Sequence, residues 1–218
     1  MRFSLNACFS LVFFSLFFAV SGQAADWLHY KTKEQVTVEY RRLDTSLLEI
    51  RAQVRLTSNL GAFLHLLNDT DAISHWVENA ERVEIISSAA EHSKIVHTYF
   101  KAIWPVSSRD MVTQSTWSQN SDGVLTLQVT DVGQQYPPVK GYVRMQQVKS
   151  QWVLTPEPNG VVLIQYRGQA DPAGNLPHFI VNRVALSSVL KTFINLAKML
   201  PHYQRPYPGI IISDKKRR

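Results

Sequence analysis

The sequence contains a single cysteine in 218 residues, Cys8. No disulfide can close within the chain, and no Cys-x-x-Cys redox or metal motif is possible. Other chemical signatures are missing too: there is no Gly-x-Ser-x-Gly, no His-Glu-x-x-His and no glycine-rich phosphate loop. Nothing implies a cofactor. Charge is sparse, with 18% Asp, Glu, Lys and Arg against about 25% in an average domain. The net charge of +6 is also badly distributed for a polyanion partner. Arg2 supplies +1 and Lys215, Lys216, Arg217 and Arg218 supply +4, which leaves +1 on residues 25–214. No basic stripe interleaved with aromatics appears, so a nucleic-acid groove is excluded. The basic end reads as a solvated tail or as a weak contact with anionic lipid, worth about 1 kcal/mol per residue. Internal repeats, low-complexity stretches and interdomain linkers are all absent, which leaves one domain, expected to be a monomer.

Long apolar runs are also scarce. The one present, Ala7 to Val20, follows Met1-Arg2 and has 14 residues, fewer than the roughly 20 that span a bilayer. Gly22 and Ala24 then place small residues before a cut. This is the layout of a secretory signal peptide over residues 1–24, cleaved after Ala24. LNAC at residues 5–8 precedes the apolar run, so it is not a lipoprotein box. Export would remove Cys8 and leave a thiol-free mature chain, expected in a bacterial periplasm. Such a chain must be held by its own core, and roughly 190 residues suffice for one.

What is present is mostly strand. Trp27 to Gln35 is mixed and reads as a short amphipathic lead-in, so the first group holds two or three strands. Residues 36–43 and 47–56 alternate like strands, joined across Asp44-Thr45-Ser46. Helical spacing takes over from Asn59 to Trp76: Leu60, Phe63, Leu64 and Leu67 fall on one face, and Thr70 or Asp71 can cap a second short helix. Strand patterns follow at 83–88, 94–104, 110–119, 124–132, 142–156 and 161–170, broken by turn residues. Connections this short exclude crossover helices, so the sheet is predicted to be antiparallel and meandering. One long helix closes the domain, with Asn175 as cap, Pro177 in its first turn and Pro201 at its end. Phe179, Leu186, Leu190, Phe193, Ala197 and Leu200 form its apolar stripe, widened by Val184, Val189, Ile194 and Leu196. The predicted fold class is α+β, with a curved antiparallel sheet around a long C-terminal helix and two short helices after the first strands. Residues 25–200 form the domain and 201–218 a Pro-rich, then basic, loose tail.

Three stretches carry a family resemblance: W-P-V-S-S-R-D at 104–110, Tyr136-Pro137-Pro138 through Gly141-Tyr142-Val143, and D-P-A-G-N-L-P at 171–177 before the last helix. With the order of elements, they make the chain resemble a START-type lipid-binding domain of the helix-grip class over residues 27–200. The resemblance implies a tunnel holding one lipid or other apolar molecule, with the WPVSS turn as a mouth loop facing the helix. It further implies binding of a hydrophobic ligand, its possible transfer between membranes, and transient contact with a membrane surface.

Strand phase identifies inward candidates. Met111, Thr113, Ser115 and Trp117 share the more apolar face of their strand, which places Arg109 inward and Asp110 outward. Leu125, Leu127, Val129 and Asp131 share the inner face of the next strand, so Asp131 is the expected partner of Arg109. That pair reads either as a structural tie or as a site where Arg109 anchors a ligand head group. Val162, Ile164, Tyr166 and Gly168 are expected inside. Tyr166 is either a core aromatic or a hydroxyl offered to ligand. Whether Ile95, His97 and Tyr99 or Val96, Thr98 and Phe100 face inward is left open. The expected lining is therefore Arg109, Asp131, Met111, Thr113, Trp117, Tyr166, Ile164, Phe179, Leu186, Leu190 and Phe193.

No catalytic set and no metal site is expected. Two other functions stay open: acid–base chemistry by His97 or Tyr166 on a hydrophobic substrate, as a hydrolase or cyclase, and a ligand-sensing adaptor acting through Pro201 to Arg218. His75 and Glu78 lie three apart on a helix but have no evident third ligand. Asn68-Asp69-Thr70 fits a glycosylation acceptor.

Overall fold

The computed structural model describes residues 26–43, 47–90 and 92–211. The expected signal segment, the Asp44-Thr45-Ser46 turn and the terminal Lys215 to Arg218 lie outside the described residues. Three strands open the chain: β1 (Leu28–Lys33), β2 (Val36–Arg42) and β3 (Leu48–Thr57). Helices α1 (Leu60–Asn68) and α2 (Ile73–Trp76) follow. Then come β4 (Ala80–Ala90), β5 (Ser93–Phe100), β6 (Arg109–Gln119) and β7 (Leu125–Asp131). A two-residue β8 (Val143–Arg144), β9 (Gln146–Glu157) and β10 (Val161–Asp171) complete the sheet, and α3 (His178–Met199) lies across it.

The ten strands form one sheet in the order β1-β2-β3-β10-β9-β7-β6-β5-β4, with β8 beside β6. Every pairing is antiparallel except the short parallel β6–β8 contact. Strands β4 to β10 run as the expected meander, and the register Val161↔Thr57 to Gly168↔Ile50 joins it to the first three strands. α3 packs on β2 and β3. Its buried residues Leu186, Leu190, Phe193, Ile194 and Leu196 meet Val36, Val38, Leu48, Ile50, Ala52 and Val54 in a single core cluster.

Local chemistry explains several departures from expectation. Trp27 to Gln35 is not an amphipathic lead-in but contains β1, joined to β2 by a two-residue turn. Glu34 and Gln35 both take positive φ there, at 49° and 64°, the conformation that Asn-Gly usually signals. Neither Thr70 nor Asp71 caps α2; Asp69 Oδ1 accepts from Ala72 N at 3.1 Å. α3 begins with Pro177 at its cap and has no side-chain cap, so Asn175 does not serve. The stretch after α3 is not loose as far as Ile211. Gln204 bonds Ser58 and Asn59, His65 bonds the Pro206 carbonyl, and Ile211 N donates to Gln119. Gly61 allows this strap to lie close, since a Cβ there would sit 2.7 Å from the Arg205 carbonyl oxygen.

Candidate functional site

Strand pairing decides which side chains face α3. Thr98 pairs with Met111 and Val96 with Thr113, so the even-numbered residues of β5 share the inner face of β6. Val96, Thr98 and Phe100 therefore face inward, and Ile95, His97 and Tyr99 face outward. The inner side chains of this half are mostly small or hydroxylated. Thr98, Thr113, Ser115, Ser150 and Gly168 stand beside Met111, Val129 and Val148, and together they border a cavity of about 500 Å³. α3 closes it with Val181, Ala185, Ser188, Val189, Thr192 and Phe193.

An aromatic cluster separates this space from the filled core. Trp152 stacks on Phe193 at 5.3 Å between centroids and meets Tyr166 at 4.8 Å and Phe63 at 5.6 Å. Tyr166 folds back over Gly168, where a Cβ would lie 2.3 Å from the phenol oxygen. Glycine is required there by this close approach. Burial pushes the Tyr166 phenol up to about 12, against a smaller opposing pull from Ser150. The phenol therefore keeps its proton.

Arg109 borders the cavity at the end formed by residues 171–174. Its Nε donates to the Pro172 carbonyl at 3.2 Å, Nη1 to the Ser107 carbonyl at 2.5 Å and Nη2 to the Ala173 carbonyl at 3.4 Å. Burial lowers the guanidinium from its usual value, yet arginine remains charged. Among the described residues no carboxylate pairs with it. Of the five N–H groups a guanidinium carries, the three carbonyl contacts leave two free. The expected Asp131 partner is elsewhere: its Oδ1 accepts from Gly133 N at 2.7 Å, turning the chain at the end of β7.

Asp110 occupies the opposite face, as strand alternation requires, but it is fully buried instead of facing solvent. The segment from Val132 to Met145 folds back over the outside of the sheet, and β8 pairs Arg144 with Asp110. Arg144 Nη2 lies 2.8 Å from Asp110 Oδ2, and His97 Nε2 donates to the same oxygen at 2.7 Å. Arg144 also reaches the Gly133 and Pro137 carbonyls, which pins the covering loop. His97 thus belongs to an outer ion-pair network and cannot touch a molecule in the cavity, which removes it as an acid–base group there.

A seam between α3 and the Ile103–Val106 turn separates the cavity from the surface. An outer groove of about 360 Å³ shares Glu78, Asn79, Ile103, Val184 and Ser188 with the cavity wall. Asn79 Nδ2 bridges the seam to Ser188 Oγ at 2.9 Å. Beside it, Trp104 is 92% exposed and Phe179 73% exposed, with Arg183 and Lys191 in the same groove.

Of the expected lining, Arg109, Met111, Thr113, Trp117, Tyr166 and Phe193 border the cavity. Asp131 is a turn residue, Ile164 is packed in the filled core, and Phe179 stands outside the seam. Leu186 and Leu190 pack in the core cluster with β2 and β3. The helix is rotated relative to expectation because its largest side chains fill the solid half, which leaves Ala185, Ser188 and Thr192 over the void. Wall residues not singled out from the sequence include Ser150 and Lys94. Small and hydroxyl side chains at alternate inward positions were the available signal. Glu78 pairs with Lys191 Nζ at 2.8 Å, and the Asn68 amide is engaged by Tyr207 and Lys94.

A curved antiparallel sheet gripping a C-terminal helix is the helix-grip fold. A START domain model matches residues 16–205, and the chain belongs to that family. The STAR-related lipid transfer protein from Xanthomonas axonopodis has a crystal structure that superposes with a TM-score of 0.73 at 30% identity, covering 80% of this chain and 98% of that one. Human StAR-related lipid transfer protein 5 shares the fold at 20% identity, with a TM-score of 0.73 and 82% and 88% of the two chains covered. In sequence, an uncharacterized protein of Pseudomonas aeruginosa is 23% identical over 184 residues, which span 82% of this chain and 90% of that protein.

Proposed function

We propose that this protein binds one hydrophobic amphiphile in the cavity, with its polar or anionic head at Arg109, and carries it between membranes. The cavity is the observation that carries the reading. At about 24 cal/mol per Å³, an empty apolar void of 500 Å³ costs about 12 kcal/mol, as much as the whole stability of a typical domain. A guest or water must therefore fill it, and its largely apolar wall favours a guest. A 150 Å³ apolar cavity accommodates benzene, or about 25 Å³ per carbon. By that measure 500 Å³ accommodates about 20 carbons, which suits a single-chain amphiphile better than a two-chain phospholipid.

Burying each CH2 gains about 0.8 kcal/mol relative to water, similar to the gain in a bilayer. A carrier therefore needs only to approach membrane affinity. The two free N–H groups of Arg109 match a carboxylate or phosphate oxygen pair. At the seam, Trp104 and Phe179 beside Arg183 combine apolar prongs with a positive charge, which suits an anionic bilayer surface. Names that mention lipid transfer among the structural relatives support the same reading. Export by the signal segment at residues 1–24, to a periplasm, belongs to this proposal.

Native mass spectrometry of the purified chain, followed by solvent extraction, tests it. One co-purifying amphiphile per chain, released by extraction and exchanged into anionic vesicles, is the expected result. A chain of bare mass that takes up no fatty acid from vesicles contradicts the reading. Turnover of a supplied ester would instead favour a cavity enzyme.

A further inference from the structure

The cavity has a second cationic pole. Lys94 borders it on the inner face of β5, opposite Ser115, whereas Arg109 stands opposite Phe100. The two positions are six residues apart along the same pair of strands, which at about 3.3 Å per residue is about 20 Å. Lys94 Nζ donates to Asn68 Oδ1 at 2.6 Å, and Asn68 Nδ2 donates to the Tyr207 hydroxyl at 2.8 Å. No described carboxylate pairs with Lys94, so two of the ammonium's three donors are uncommitted. His92 borders the same end, its ring 3.8 Å from that of Trp117, and its Nδ1 is buried without a hydrogen-bond partner. Two independent features at one end of an apolar chamber therefore lack what a polar group would supply. The wall between the poles, built from Val96, Met111 and Val129 among others, is chiefly apolar.

We infer that the guest is bipolar: a single hydrocarbon chain with an acidic head at Arg109 and a second oxygen-bearing group, carboxylate or hydroxyl, at Lys94 and His92. The inference rests on the guest reading above and narrows its ligand class. A carboxylate at the far end accepts from Lys94, and a hydroxyl can also satisfy His92 Nδ1. A simple fatty acid would place a methyl group against both and leave them unsatisfied.

Equilibrium binding of hexadecanoic acid, ω-hydroxyhexadecanoic acid and hexadecanedioic acid to the wild-type chain and to Lys94→Met tests this. The diacid is expected to bind wild type about tenfold more tightly than the monoacid, the size of one charge-assisted hydrogen bond. In Lys94→Met that ratio falls to about one while the monoacid keeps its affinity. Lys94→Gln, which retains a donor without the charge, is expected to keep the preference for the hydroxy acid and lose that for the diacid. Equal binding of monoacid and diacid by wild type, or a preference that survives Lys94→Met, overturns the second pole alone. Failure of all three compounds to bind overturns the guest reading as well.

Discussion

Beneath α3, β2 and β3 present Val36, Val38, Ala52 and Val54, all buried in one cluster with Leu186, Leu190 and Ile194. Beneath the same helix, β5, β6 and β9 present Thr98, Thr113, Ser115 and Ser150, which leave a void. The first half is held together from inside. The second is clad from outside, where Val112, Tyr99, His97 and Asp110 are buried under the loop that Arg144 fastens. The difference shows how one sheet can be both stable and hollow: the packing that the void forgoes on the concave face is partly replaced on the convex face. It also separates residues that hold the fold from residues that could meet a guest. Arg109 and Asp110, adjacent in sequence, fall on opposite sides of that division.

The largest expected effect comes from removing the outer clasp. Asp110→Ala leaves Arg144 and His97 without their shared carboxylate and should cost about 3–5 kcal/mol, read as a drop in the urea midpoint. Next is a matched pair across the two halves. Leu196→Ala, in the solid half, should cost about 2–5 kcal/mol. Ser115→Leu, facing the void, should stay within about 1 kcal/mol because space exists to receive the added methylenes, yet it should displace guest. Equal destabilisation by the pair would erase the contrast.

A smaller, pH-dependent effect sits on the outer face of the solid half. Burial opposes ionisation of Glu49, but hydrogen bonds from Arg167 and Arg41 outweigh it and hold the carboxyl below its usual value. A lowered folded-state pKa adds stability above the ordinary glutamate range, and that increment is lost as pH falls through the lowered value. Glu49→Gln should flatten the acid limb of a stability–pH curve. The smallest effect on stability, under about 0.5 kcal/mol, is expected for Trp104→Ala, which should nevertheless slow exchange of guest with anionic vesicles.

Much of this was legible in the residue pattern. The antiparallel meander, the closing helix and the phase of β6 followed from period-two and helical spacing, and the phase placed Met111, Thr113 and Trp117 on the cavity wall. β1 was left undecided because its turn uses Glu34-Gln35 in place of the residues that favour positive φ. Burial of Asp110 could not be read locally, since its cover comes from Val132 to Met145. The roll of α3 was hidden because Val184, Val189, Ile194 and Leu196 make the helix apolar around most of its circumference. An apolar pattern does not distinguish a filled space from an empty one; only the run of small hydroxyl residues hinted at the void.

The most direct test is calorimetric titration of hexadecanoic acid into the wild-type chain and Arg109→Ala, with thermal melts of both. One guest per chain, an affinity loss of tenfold or more in the variant and a smaller loss of stability are predicted, because three donors of Arg109 hold carbonyl groups and the remaining two are offered to the guest. Absence of saturable uptake by the wild type, or a melting loss in Arg109→Ala with no change in affinity, would contradict the account.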